Sequence, residues 1–245
     1  MTTFGTWLRR GPALHLTYGG AQPRCQGVGA VRPHRLGALA LSVLLAVVSA
    51  PDLAMARTLQ IVAFGDSLMA GYNLPPGDDY PARLQAALRQ QSLDVTVTNA
   101  SVSGDTTTGG LDRLDWSVPD GTDGVLLELG ANDMLRGQDP SLTKQNLSAM
   151  IGRLQARHIA VFLMGMKATP TLGADYVGRF DAIYPDLAKA DGLPLDPFFL
   201  DGVAGQAKLQ LADGMHPNPD GVAAMVARTA PAVAAWLKGL PAGRR

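Results

Sequence analysis

The chain is poor in cysteine, in aromatic residues and in charge of one sign: one of its 245 residues is cysteine, 6% are aromatic, and 21 basic residues balance 21 acidic ones. A lone thiol, Cys25, cannot close an internal disulfide or furnish a cysteine-based zinc site. Zero net charge without a long basic run argues against nucleic acid as a partner, because that binding rests on Lys and Arg neutralising phosphates. The uncharged run Leu36 to Ala50 stops at fifteen residues. That is short of the roughly 18 to 20 that a membrane-spanning helix needs. A hydrophobic fraction of 47% is ample for a core and excludes wholesale disorder.

The first 56 residues differ from the rest: they hold Arg9, Arg10, Arg24, Arg32 and Arg35, no lysine, and Asp52 as their single acid. A basic stretch, the short apolar run 36–50 and the small-residue site Ala54-Met55-Ala56 together spell a secretory signal peptide over residues 1–56, cleaved after Ala56. The basic stretch is long for such a region, and a translation start near Val28 or Val31 is the expected explanation. Arg9-Arg10 stands too far from the apolar run to read as a twin-arginine signal. Cleavage leaves residues 57–245, a chain of 189 residues with 16 basic and 20 acidic side chains, no cysteine, and two histidines, His158 and His216. The expected location is periplasmic or secreted, with membrane contact only transient, through the signal peptide or a lipid substrate.

From Leu59 onward short apolar runs alternate with longer amphipathic ones. Leu59 to Phe64, Val95 to Thr98, Val125 to Leu129 and Ile159 to Met164 read as buried strands, with a weaker fifth around Leu193 to Leu195. Helical patterns cover Tyr80 to Gln91, Ser141 to Arg157, Asp175 to Ala190 and Asp220 to Leu240. In the second of these, Leu142, Leu147, Met150, Ile151 and Leu154 form one apolar stripe. Alternation on a domain-sized chain predicts a parallel sheet covered by helices on both faces. Ligands in such folds sit beyond the carboxyl ends of the strands, so the loops there are where chemistry is sought.

Gly65-Asp66-Ser67 follows the first strand. It reads either as a turn exposing a serine hydroxyl at a helix start or as a plain helix cap by Asp66 or Ser67. A polar loop containing Gly104, whose N–H can approach a ligand closely, follows the second strand. Gly130-Ala131-Asn132-Asp133 follows the third; it is ordinary turn material, yet an asparagine amide there suits a developing oxyanion. Near the end stands Asp213-Gly214-Met215-His216, with an acid three residues before a histidine. His158, between a helix and a strand, falls at the opposite edge of the sheet and reads as a helix C-terminal residue. A serine, a glycine N–H, an asparagine amide and an Asp-x-x-His pair at one sheet edge are the parts that nucleophilic acyl transfer requires. The G-x-S-x-G elbow is absent, since the position two after Ser67 is Met69.

FGDSLMAGY (64–72), NASVSGDTT (99–107), LELGANDMLRG (127–137) and DGMHPN (213–218), with AIYPDLA (182–188) between the last two, resemble the motifs of the SGNH, or GDSL, hydrolases. The likeness is greatest to the bacterial arylesterase and multifunctional thioesterase/lysophospholipase branch. It implies a three-layer α/β/α fold with a five-stranded parallel sheet of flavodoxin-like form. It implies Ser67 as nucleophile, His216 as general base and Asp213 as its partner, with an oxyanion hole of the Ser67 N–H, the Gly104 N–H and the Asn132 amide. The implied substrates are small-molecule aryl or short-to-medium acyl esters, with thioesters and lysophospholipids as further candidates, and no cofactor or metal is expected. Ala131 departs from the family, where a second glycine often precedes the asparagine. Two rival readings use the same architecture: an exported binding domain without catalysis, and a carbohydrate acetylesterase. The loops Asn73 to Asp79 and Lys167 to Gly173 offer little to sugars, having Pro and Gly in place of aromatic platforms. The segments Ala168 to Gly173 and Phe198 to Val203 are expected acyl-pocket walls, although core packing suits Phe198 and Phe199 equally.

Overall fold

The three central strands are set by apolar runs that cross a sheet covered on both faces, while the edge strands are an alternating Val-Thr run and a two-residue Leu-Asp segment. In the computed structural model these are β1 (Leu59–Phe64), β2 (Val95–Asn99), β3 (Gly124–Glu128), β4 (Ala160–Met164) and the two-residue β5 (Leu195–Asp196). The structure describes residues 57–240 together with Gly19 and Gly20. The expected signal peptide, its apolar run and its cleavage site lie outside the described residues. The helices are α1 (Ser67–Ala70), α2 (Tyr80–Gln90), α3 (Thr107–Ser117), α4 (Ala131–Leu135), α5 (Pro140–Ala156), α6 (Ala174–Asp181), α7 (Ile183–Asp191) and α8 (Pro219–Lys238). All fall within the unit Asp52–Arg245. No helix among the described residues is long and apolar enough to cross a membrane.

The strands are parallel, as the sequence predicts, and they lie in the order β2-β1-β3-β4-β5, with Ile61 opposite both Val97 and Gly124. The chain moves outward from β1 to β2, then returns to place β3 on the other side of β1. Above that reversal, at the carboxyl ends of β1 and β3, helix starts diverge and leave a crevice. On one side α2 packs against α8, tied by a 2.7 Å bond between the Tyr80 and Thr229 hydroxyls. Against the other, α5 packs with α3 and α7. Strand side chains alternate between these layers: Ile61 lies near Trp236 of α8, and Phe64 near Met150 of α5. The result is the three-layer arrangement.

Some local expectations need correction. The apolar stripe of α5 buries Leu147, Met150, Ile151 and Leu154, but Leu142 is 41% exposed. One residue is about 100° of helix, and Thr143 takes the inward position because its hydroxyl bonds Asp133. The segment Asp175 to Ala190 is two helices that meet at Ala182. The break puts Pro185 in the first turn of α7, where a missing N–H removes no intrahelical bond. α3 is a helix that the sequence pattern does not announce: the polar loop expected after β2 ends where it begins. Its Thr-Thr-Gly-Gly opening is weakly helix-forming, and Thr106 holds it by accepting the Gly109 N–H at 3.3 Å.

Candidate active site

Two turns and two helix starts converge above β1 and β3. After β1 the chain passes Gly65, where a Cβ would lie 2.6 Å from Glu128 Oε2, so a side chain has no room. Asp66 then caps α1, its Oδ1 accepting the Leu68 N–H at 3.0 Å. The two readings of this turn prove compatible, because the cap is Asp66 and it leaves Ser67 as the first helical residue. At that position the Ser67 N–H has no intrahelical partner and points away from the helix start.

The Asp213 to His216 turn is built around one carboxylate. Asp213 Oδ1 accepts the backbone N–H groups of Met215 at 2.9 Å and His216 at 3.0 Å, and Oδ2 lies 2.7 Å from His216 Nδ1. These backbone bonds, foremost that from Met215, hold the Asp213 carboxyl down to about 2. A bond from the Leu211 N–H to the His216 carbonyl closes the loop, and Asn218 caps α8 by accepting the Gly221 N–H at 2.9 Å. The histidine is thereby locked with Nε2 2.9 Å from Ser67 Oγ. Tyr72 packs its ring 4.4 Å from the imidazole on the other flank. An imidazole between a hydroxyl and a carboxylate can take the hydroxyl proton, and the carboxylate both orients the ring and favours its charged form.

Gly104 and Asn132 border the same cavity as Ser67 and His216. Gly104 adopts φ +83°, a left-handed conformation open to glycine without strain, and its carbonyl accepts from Arg136 Nη2 at 2.8 Å. Asn132 sits in the first turn of α4, with Nδ2 donating to Asp66 Oδ2 at 3.0 Å. The methyl group of Ala131 faces the cavity but removes no donor. All five residues singled out in the sequence, Ser67, Gly104, Asn132, Asp213 and His216, are thus brought together. His158 is not among them. It is exposed just past the end of α5 with φ 59°, its N–H bonding the Gln155 carbonyl.

The cavity, of about 620 Å³, is walled chiefly by apolar side chains: Leu68, Met134, Leu135, Met166, Phe198, Leu200 and Met215. The expected walls are found in part. Ala168, Thr169, Pro170, Phe198 and Leu200 line it, whereas Phe199 and Val203 are core residues, Phe199 meeting Tyr80 edge-on. None of the Asn73 to Asp79 loop lines it.

Several supporting residues escaped the sequence reading. Asp133 is fully buried and accepts the Thr107 N–H at 2.8 Å, the Thr107 hydroxyl at 2.5 Å and the Thr143 hydroxyl at 3.3 Å, which joins the starts of α3, α4 and α5. Arg113 is buried across the Phe64 ring, donates to the carbonyls of Gly65 and Ala100, and pairs with Asp105 at 2.7 Å. Glu128 is buried below Asp66, inside what reads as an apolar strand. The one signal for it in sequence is a carboxylate within Val-Leu-Leu-Glu-Leu.

Comparison with known proteins agrees with this geometry. Residues 63–224 match the model of the GDSL-like lipase/acylhydrolase family. The chain is 42% identical over 162 residues to an arylesterase of Vibrio mimicus, covering 66% of this chain and 81% of that one. It is 40% identical over 181 residues to esterase TesA of Pseudomonas aeruginosa, covering 74% and 89%. Among solved structures, the SGNH-hydrolase family esterase AlinE4 superposes with a TM-score of 0.63 at 46% identity, covering 75% of this chain and 99% of that one. With its sheet order, its motifs and these relatives in agreement, the chain belongs to the GDSL-like lipase/acylhydrolase family and is an ester hydrolase of the SGNH type.

Proposed function

We propose that the protein is an exported serine carboxylic-ester hydrolase acting through an acyl-serine intermediate on aryl or short-to-medium acyl esters. Ser67 is the nucleophile, His216 the general base and acid, and Asp213 the group that orients and charge-stabilises His216. The Ser67 N–H, the Gly104 N–H and the Asn132 amide form the oxyanion hole. The observation that carries the reading is the bonded chain Ser67–His216–Asp213 opening onto an apolar cavity.

In the first step His216 Nε2 takes the Ser67 proton as Oγ bonds to the ester carbonyl carbon, and the carbonyl oxygen becomes an oxyanion held by the three N–H donors. The C–O bond to the alcohol breaks, and the alcohol leaves with the proton from Nε2. Water then repeats the sequence: His216 takes its proton, hydroxide adds to the acyl carbon, and collapse returns the proton to Ser67 Oγ and releases the acid. The apolar walls favour an acyl chain over a sugar, through burial of about 25 cal/mol per Å² of apolar surface. Activity toward thioesters and lysophospholipids belongs to the same proposal. It is supported by the 39% identical Escherichia coli relative named thioesterase 1/protease 1/lysophospholipase L1. Export to the periplasm or medium rests on the basic and apolar pattern of residues 1–56.

Hydrolysis of p-nitrophenyl esters of graded chain length, with an acyl thioester and a lysophospholipid alongside, tests the substrate range. Ser67→Ala is expected to abolish fluorophosphonate labelling and to lower kcat by up to about a millionfold. Labelling at another residue, or near-parental turnover by that variant, defeats the mechanism. Mass spectrometry of the exported protein checks the expected N-terminus, Arg57.

A further inference from the structure

Below the oxyanion donors lies a second, fully buried acidic group that the steps above do not use. Asp66 has both carboxylate oxygens engaged, Oδ1 by the Leu68 N–H and Oδ2 by Asn132 Nδ2, each at 3.0 Å. Glu128, at the end of β3, accepts the Asp66 N–H on Oε2 at 3.1 Å, while its buried Oε1 has no partner among the described residues. Glu128 therefore stands directly against the Asp66 turn, and both side chains are buried. The turn is built for this approach, since only a residue without Cβ fits at position 65 against Glu128.

Two ionised carboxylates packed this closely away from water repel, and one shared proton removes that repulsion. The donors decide where the proton rests. Asp66 receives two N–H bonds on its carboxylate and Glu128 receives one, and bonds to the charged form stabilise it. We propose that a proton shared by the buried pair rests on Glu128, and that the Asp66 carboxylate so left ionised is the positioning residue that holds the Asn132 amide at the oxyanion hole. This rests on the function proposed above. An amide nitrogen carries two hydrogens; the bond to Asp66 takes one and fixes the amide plane, leaving the other for the cavity that Asn132 shares with Ser67.

The groups around the pair are consistent with this division. His216 lies across Ser67, Tyr184 donates its hydroxyl to the Leu129 carbonyl, Asp133 is on α4, and Arg113 Nη2 bonds the Gly65 carbonyl at 3.1 Å. Burial raises the Asp66 carboxyl, and its Leu68 and Asn132 bonds pull it back down by favouring the charged form. Burial first, and the Asp66 charge second, push Glu128 well above the ordinary carboxylate range.

The test is a double-mutant cycle read as kcat and KM on p-nitrophenyl butyrate, using Asn132→Ala, Asp66→Asn, their combination, and Glu128→Gln. Asp66→Asn should lower kcat about ten-fold or more with KM nearly constant, a share of the roughly 100- to 1000-fold that an oxyanion donor contributes. The double variant should be no slower than Asn132→Ala alone, and Glu128→Gln, which imitates a protonated carboxyl, should lose less than Asp66→Asn. Additive losses, or Glu128→Gln as the slower variant, overturn the inference. An Asn132→Ala enzyme as fast as the parent overturns the oxyanion assignment and the inference together, whereas a slow Asn132→Ala with additive Asp66→Asn sinks the inference alone. Should Asp66→Asn not fold, Asp66→Ser keeps a helix cap for the Leu68 N–H and carries the same cycle.

Discussion

Removing the carboxylate of Asp133 should loosen three helix starts at once. Its oxygens receive the Thr107 N–H and the hydroxyls of Thr107 and Thr143, and the side chain is fully buried. In Asp133→Ala the two hydroxyls can rotate to other acceptors, and Thr107 Oγ1 keeps its 3.1 Å bond from Asn146. The Thr107 N–H cannot rotate: it is at the first position of α3 and becomes a buried orphan, at about 1–3 kcal/mol. Loss of the two hydroxyl bonds to a charged acceptor and the small void adds to this, and relief from burying a carboxylate offsets part of it, for a net destabilisation of about 2–4 kcal/mol. Asp133→Asn keeps an oxygen for the Thr107 N–H and should lose only about 1 kcal/mol. Urea unfolding followed by tryptophan fluorescence reads both, with Trp236 packed against Phe162 as a core reporter. Because α4 carries Asn132, the alanine variant should also lose kcat. An Asp133→Ala midpoint within about 0.5 kcal/mol of the parent, or Asn as harmful as Ala, would refute the reasoning.

Gly65→Ala would place a Cβ 2.6 Å from Glu128 Oε2 and 2.7 Å from the Glu128 carbonyl, so thermal unfolding should show a loss of about 1–3 kcal/mol, and an unchanged Tm would contradict it. The Asp213 carboxyl, depressed to about 2 from the ordinary 3.8, stabilises the fold above pH 3.8, and that contribution is lost as pH falls through about 2. The stability difference between parent and Asp213→Asn should therefore shrink over that window, and a difference that grows on acidification would be the contrary result. Ala204 lines the cavity, and Ala204→Trp should raise KM about ten-fold more for a p-nitrophenyl octanoate than for the acetate. An unchanged ratio between the two esters would place the acyl chain elsewhere.

The sheet was legible because four of its strands are apolar or β-branched runs with no competing pattern, and alternation with helices leaves parallel pairing as the way to connect them. The five site residues were legible because each falls after a strand, where such folds gather their loops. What escaped were residues whose surroundings are made by distant segments. Asp133 looked like turn material, since nothing near it in sequence announces that Thr107 and Thr143 will both donate to it. Arg113 lies in a glycine-started helix with weak periodicity. Leu142 was placed inward by its hydrophobicity, while Thr143 took that position because a buried acceptor awaited its hydroxyl.

From the sequence alone follow the kinds of group present, their order and their shared sheet edge, because these depend on local pattern and composition. Distance and protonation were decided by the tertiary structure. Only packing brings Ser67 and His216, 149 positions apart, to 2.9 Å, and only packing sets Glu128 under Asp66 in a space too dry for both to be charged.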